Sequence, residues 1–279
     1  MTDTVSQRRG LAGLAQQMQQ LPPVLQPKTP PTAPPGWTAG PPDFVGVGTM
    51  RSGTSWWWSR MVCHPGIALP NPYKEAHFFD HYGRVADVDP AEYHRYFPRP
   101  SGTLTGEWTP RYIYDFWTPP MLRRLAPAAK ILVSLRDPVE RYLSALAFAQ
   151  SRGFAPSQSM LHYQYERSLY GRQLQTLLAH FPREQVLVLQ YERCVTDIPG
   201  QIRRTLEFLG LDPADWRPGD APAERVNAGR AAKPQLDAAT RAALETALAA
   251  DLADVLALCP ELDPGLWPSA AALRGGLMK

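Results

Sequence analysis

The sequence predicts an α/β fold of three layers, α/β/α, with a central parallel sheet and a P-loop-like turn after the first strand. Three observations predict it. Short apolar runs, Phe44–Val47, Lys130–Leu135 and Gln185–Gln190, read as strands buried on both faces. Each run is followed by a turn and then a helical segment, the alternation that builds parallel sheets. The chain has 279 residues and is 44% hydrophobic, enough for a sizeable core.

In chain order, residues 1–42 read as a proline-rich, flexible arm and 43–279 as a single domain. Nine of the 30 prolines lie between Pro22 and Pro42, where neither a helix nor a central strand can persist. Ahead of them Leu11, Leu14, Ala15, Met18 and Leu21 recur at helical spacing, which reads either as a frayed tail or as a short amphipathic arm that binds a partner or pairs copies into a homo-oligomer. After the first strand, a helix runs to about Cys63, where His64-Pro65-Gly66 stops it. Ile67–Leu69 and Thr103–Glu107 read as further strands, and Pro119–Leu125 as a helix. Asp89-Pro90 and Asp137-Pro138 open helices, with aspartate as cap and proline in the first turn. Pro199–Leu209 is a helix closed by Gly210, and an alanine-rich helix spans roughly Asp237–Leu258.

Composition narrows the functional classes. A net charge of +3, from 29 basic and 26 acidic residues, is too small to imply nucleic acid. No 18-residue apolar run exists, so no integral membrane association is expected. The polar N-terminus lacks a secretory pattern, and three dispersed cysteines suit a reducing environment, so a cytoplasmic location is expected.

Parallel sheets bind ligands at the carboxyl ends of their strands. Gly46 to Ser55 lies at such an end: glycines let the backbone curl round a ligand, Ser52, Thr54 and Ser55 add hydroxyls, and Arg51 adds charge. The chemistry is that of a phosphate or sulfate seat. Gly48 and Gly53 match Walker A spacing, but Thr54 stands where the lysine belongs. Arg136 ends a second strand, and Ser144 follows two helical turns on, a guanidinium and a hydroxyl suited to a second phosphate. Asp137 reads either as the cap of that helix or as a magnesium-holding acid. Arg141 is read as a surface or ion-paired residue.

The two loops, MRSGTSW at 50–56 and RDPVERYLSAL at 136–146, resemble those of sulfotransferases that use 3′-phosphoadenosine-5′-phosphosulfate (PAPS). The resemblance implies that Arg51, Ser52, Gly53, Thr54, Ser55 and Trp56 hold the 5′-phosphosulfate. Arg136 and Ser144 then hold the 3′-phosphate. PAPS is the co-substrate, leaving as adenosine 3′,5′-bisphosphate (PAP), and in-line transfer calls for no metal. Lys74-Glu75-Ala76-His77-Phe78-Phe79 resembles the Lys-Glu-x-x-Phe-Phe segment of the heparan-sulfate-type branch. Glu75 is then the general base, its pKa raised by burial, while Lys74 and Arg51 neutralise developing charge. His77 is a rival base or an acceptor contact.

Glu107-Trp108-Thr109-Pro110-Arg111-Tyr112 resembles that branch's Glu-Lys-Thr-Pro-x-Tyr segment, with Trp108 in place of the lysine. A lost cation and a gained aromatic assign Trp108 to acceptor binding and point away from a highly anionic polysaccharide. Arg230 and Lys233 occupy the position of a late basic loop that closes over the nucleotide. The acceptor is expected to be a small-molecule, lipid or carbohydrate hydroxyl. Two alternatives stand beside this reading: a P-loop kinase using ATP and magnesium, and a catalytically silent nucleotide-binding scaffold.

Overall fold

A computed structural model of the chain describes residues 28–70, 74–80, 88–220, 232–271 and 273. Its centre is a four-stranded, wholly parallel sheet in the order β4-β2-β5-β6, formed by β2 (Phe44–Gly48), β4 (Gly106–Trp108), β5 (Lys130–Leu135) and β6 (Val186–Gln190). Alternate side chains feed two cores. Val45, Val47, Ile131, Val133, Leu135, Val186 and Val188 face one layer, while Phe44, Leu132, Leu187 and Leu189 face the other. Both faces are therefore covered, as the continuously apolar strands required.

The first core is closed by α3 (Thr118–Leu125), α6 (Tyr170–Leu178) and α9 (Ala238–Leu258). The second is closed by α1 (Thr54–Met61), through Trp56, Trp57 and Met61, and by α8 (Ile198–Leu209), through Ile202, Leu206 and Leu209. The cap signals are realised. Asp137 opens α4 (Pro138–Ser151) by accepting the amides of Val139 and Glu140, and Gly210 ends α8 at φ 85°. Asp89 likewise caps α2 (Pro90–His94).

Three expectations change. Ile67–Leu69 forms a single bridge, Ile67 to Leu104, in place of a strand. α5 (Gln158–Glu166), α6 and α7 (Tyr191–Thr196) occupy stretches that the sequence reading left unassigned. The end of the proline-rich segment is docked: β1 (Thr38–Ala39) pairs antiparallel with β3 (Pro98–Arg99), and the Lys28 amide donates to the Ala76 carbonyl at 3.1 Å. Prolines leave their carbonyls free to accept, and Arg99 donates to that of Pro41. Leu11 to Leu21, the candidate self-association surface, lies outside the described residues. Among the described residues no helix is long and apolar enough to cross a membrane.

Candidate active site

The carboxyl end of β2 runs into the turn that opens α1. Gly53 sits at φ 76°, and a Cβ there would lie 2.6 Å from Tyr191, so the turn needs glycine both for conformation and for space. Arg51 is also left-handed, at φ 70°. No side chain caps α1 and its first turn carries no acid, which leaves a helix start electrostatically suited to an anion. Thr54 and Ser55 lie in that turn with the backbone of Trp56, whose indole is buried against Trp57.

Ser52 is a correction. It is 1% exposed, its hydroxyl meets that of Thr49 at 2.6 Å, and Thr49 in turn donates to the Ser134 carbonyl. The Ser52 amide donates to the Thr49 carbonyl and its own carbonyl accepts from Ser134. Ser52 shapes the turn from inside instead of offering its hydroxyl to a ligand.

Arg136, just past β5, joins this turn by donating to the Arg51 carbonyl at 3.3 Å. The Arg51 Nε donates to the Ser144 hydroxyl at 3.3 Å, and its guanidinium lies over the Phe148 ring. Tyr191, at the end of β6, lies under the Arg136 guanidinium, 4.8 Å to the ring centroid. Burial first, and then the charge of Arg136, lower the pKa of Arg51. Two guanidiniums are drawn together, neither in a salt bridge among the described residues, a pairing whose chemistry suits an anion. The buried Arg136 Nε also has no hydrogen-bond partner there.

The catalytic candidates sit beside this pair. Lys74 Nζ lies 2.8 Å from Glu75 Oε1 and donates to the Trp108 carbonyl at 3.0 Å and to the Thr54 hydroxyl at 3.4 Å. Glu75 Oε2 is 3.3 Å from His77 Nε2, and His77 Nδ1 is 2.8 Å from Asp80 Oδ2. Burial would raise the Glu75 carboxyl, but His77 and Lys74 outweigh it and hold the pKa at about 2. This reverses the expectation of a raised pKa. Burial likewise disfavours the imidazolium, yet Asp80 and Glu75 push His77 up to about 9. Burial outweighs the attraction of Glu75 and lowers the pKa of Lys74. Near neutrality Glu75 is a carboxylate and His77 an imidazolium.

Beneath it lies Glu107, 1% exposed, whose carboxylate accepts from the Ala76 amide and from the hydroxyls of Thr109, Tyr93 and Tyr112. It ties the catalytic segment to β4. Sequence reading missed this role, although Glu107 stands inside a motif it singled out. Trp108 is corrected too: it has no exposed surface, donates from Nε1 to the Gly48 carbonyl, and so packs under the turn with no face left to contact an acceptor.

The remaining candidates sort as follows. Asp137 is a cap: Oδ1 takes two helix amides and Oδ2 takes the Ser269 amide, so the magnesium-acid alternative lapses. Arg141 is fully buried and donates to Ser168 and Gln164, not a surface or ion-paired group, and burial lowers its pKa to about 10. Lys233 pairs with Glu140, in the first turn of α4, at 2.5 Å. Arg230 lies outside the described residues.

Residues 41–226 match the family model described as the sulfotransferase domain. The chain is 30% identical over 185 residues to heparan sulfate glucosamine 3-O-sulfotransferase 3B1 of Mus musculus, covering 61% of this chain and 46% of that one. It is 27% identical over 200 residues to bifunctional heparan sulfate N-deacetylase/N-sulfotransferase 3 of Homo sapiens, covering 62% and 22% respectively. The chain thus spans less than half the length of these curated relatives. A sulfotransferase structure from Alicyclobacillus acidocaldarius shares the fold, at TM-score 0.66 and 24% identity, covering 81% of this chain and 98% of that one. The chain belongs to the sulfotransferase domain family.

Proposed function

We propose that the protein transfers a sulfuryl group from PAPS to a hydroxyl of a carbohydrate or other small-molecule acceptor, with Glu75 as general base. The observation that carries this reading is the junction at Thr54. There Lys74, paired with Glu75, reaches the turn in which Arg51 and Arg136 converge. An anion seat with a base at its edge is what sulfuryl transfer to a hydroxyl requires.

In this reading Arg51, Lys74 and the first turn of α1 receive the phosphosulfate, and Arg136 with Ser144 receives the 3′-phosphate. The acceptor oxygen forms the new bond to sulfur as the bond from sulfur to the phosphate oxygen breaks, and its proton passes to Glu75. Adenosine 3′,5′-bisphosphate leaves with the electron pair, its charge offset by Arg51 and Lys74. A sulfonate near Lys74 competes with Glu75 for the ammonium, which weakens one of the two contacts holding the carboxyl low and makes it a better base. His77, held charged by Asp80, orients Glu75 from its other oxygen.

The kinase alternative has no support: the Walker lysine is absent and the Asp137 carboxylate is spent on amides. Cys63, Cys194 and Cys259 are dispersed in the sequence with no CxxC pair, which suits a reducing compartment such as the cytoplasm.

Replacing Glu75 with Gln tests the assignment. Turnover is expected to fall about a thousandfold, within the range for loss of a general base, while PAP affinity stays within a few-fold of wild type. Near-wild-type turnover contradicts it.

A further inference from the structure

We infer that the acceptor pocket of this enzyme is the cavity walled by Arg111, Asp115, Phe116, Trp117 and Gln173, and that it takes an uncharged glycoside; the inference rests on the sulfuryl-transfer reading above. The cavity is about 420 Å³, within the usual range for a small-ligand site. It adjoins the catalytic segment. Trp117 Nε1 donates to the Phe79 carbonyl at 2.9 Å, and the Phe78 amide donates to the hydroxyl of Tyr112, next to Arg111. Arg111 is near enough to Asp80, the partner of His77, to feel its charge. On the other side, Ile113 lines the cavity and donates its amide to the Val47 carbonyl, at the end of β2.

The charges of the lining cancel. Arg111 holds Asp115 through two contacts, Nε to Oδ2 at 2.7 Å and a terminal nitrogen to Oδ1 at 3.4 Å, while Arg172 is balanced by Glu166. Of the nearby cations, Lys74 is paired with Glu75, and Arg167 is 5% exposed and stacked on the rings of Tyr114 and Tyr163. Position 108, which carries a lysine in the motif this segment resembles, holds a tryptophan with no exposed surface. A polyanion entering here would meet no surplus of positive charge among the described lining residues.

What the lining offers is a ring surface with polar groups at its edge. Phe116 is 70% exposed, with its ring 5.1 Å from that of Trp117 and nearly perpendicular to it. As a lining residue Phe116 offers that exposed ring as a contact surface. Gln173 spends its amide nitrogen on the Leu169 carbonyl and Thr176 its hydroxyl proton on the Arg172 carbonyl, so both present acceptor oxygens. Aromatic surface for the C–H face of a sugar ring, with acceptors and guanidinium donors for its hydroxyls, matches a neutral pyranoside better than a sulfated or carboxylated chain.

The test measures transfer from PAPS to 4-nitrophenyl glycosides of glucose, galactose and N-acetylglucosamine. A sulfated heparin-derived tetrasaccharide and free 4-nitrophenol are compared with them, and PAP-induced thermal stabilisation is recorded in parallel. At least one glycoside is expected to saturate the enzyme and to exceed both comparators in kcat/KM, with little dependence on salt. The Phe116→Ala change, at an exposed position, is expected to raise KM for that glycoside roughly tenfold with kcat within about twofold. A better rate with the sulfated tetrasaccharide, equal rates with free nitrophenol, or no transfer to any glycoside overturns the inference. If PAP still stabilises the protein in those cases, the sulfuryl-transfer reading survives; if PAP gives no stabilisation, that reading falls first.

Discussion

Glu75 is held ionised chiefly by a neighbour two positions along the chain, in a stretch that is neither helix nor strand. The backbone at His77 is left-handed, at φ 55°, and this turn brings the imidazole onto Glu75 and Asp80 together. Lys74 beside Glu75 was legible because adjacency is written in the sequence. The His77 contact was not, because a positive φ at a histidine has no reliable sequence signal. The expected pKa of Glu75 was wrong in sign for the same reason: burial and Lys74 were foreseen, but the His77 contact that tips the balance was not. The titration of His77 gives a prediction. Its pKa is raised from 6.5 to about 9, so its charged contacts are intact below pH 6.5 and are lost as pH rises through about 9. Turnover should therefore fall on an alkaline limb near pH 9, and in His77→Gln that limb should vanish from an already lowered profile. An unchanged limb in the variant would assign it to another group.

At the scale of elements, β2 and its turn carry much of the site, and their packing depends on missing side chains. Gly46 pairs with Trp108 across the sheet, and a Cβ on Gly46 would lie 2.1 Å from Trp108 Cγ. The indole fills the space that glycine leaves and supports the turn from below. Gly46→Ala is expected to destabilise the protein by roughly 1–3 kcal/mol through overpacking, seen as a lower melting temperature. Gly219→Ala, where a Cβ meets nothing within 4 Å, should change it little; equal shifts would mean that the Trp108 contact is not the cause. Strands and the capped helices were legible because buried runs and Asp-Pro starts are local signals. The α5 helix carries one as well, since Ser157 accepts the Met160 amide, but its apolar periodicity is weak because no side chain of the helix is fully buried. The α6 helix begins at Leu169 without a side-chain cap, so its start left no mark.

Across the whole molecule, the parallel sheet gathers the site at one edge. The anion turn follows β2, Thr109 follows β4, Arg136 follows β5 and Tyr191 follows β6, all beyond the carboxyl ends of their strands. That convergence was legible from the strand–turn–helix order alone. The docking of residue 28 onto Ala76 was not, since proline content reports which structures a segment cannot form and not what it touches. The net charge of +3 understated the site as well, because the useful charge is local: Arg51 and Arg136 are brought together without an acid between them. The central claim is that this pair reads a nucleotide bearing a 3′-phosphate, and thermal stability with PAP, ADP and ATP–magnesium, in wild type and Arg136→Ala, tests it most directly. A ligand held at 100 times its dissociation constant adds about 2.7 kcal/mol. PAP alone should stabilise the wild type, and Arg136→Ala should lose most of that gain. Stabilisation by ATP–magnesium instead, or an unchanged PAP response in Arg136→Ala, would contradict the account.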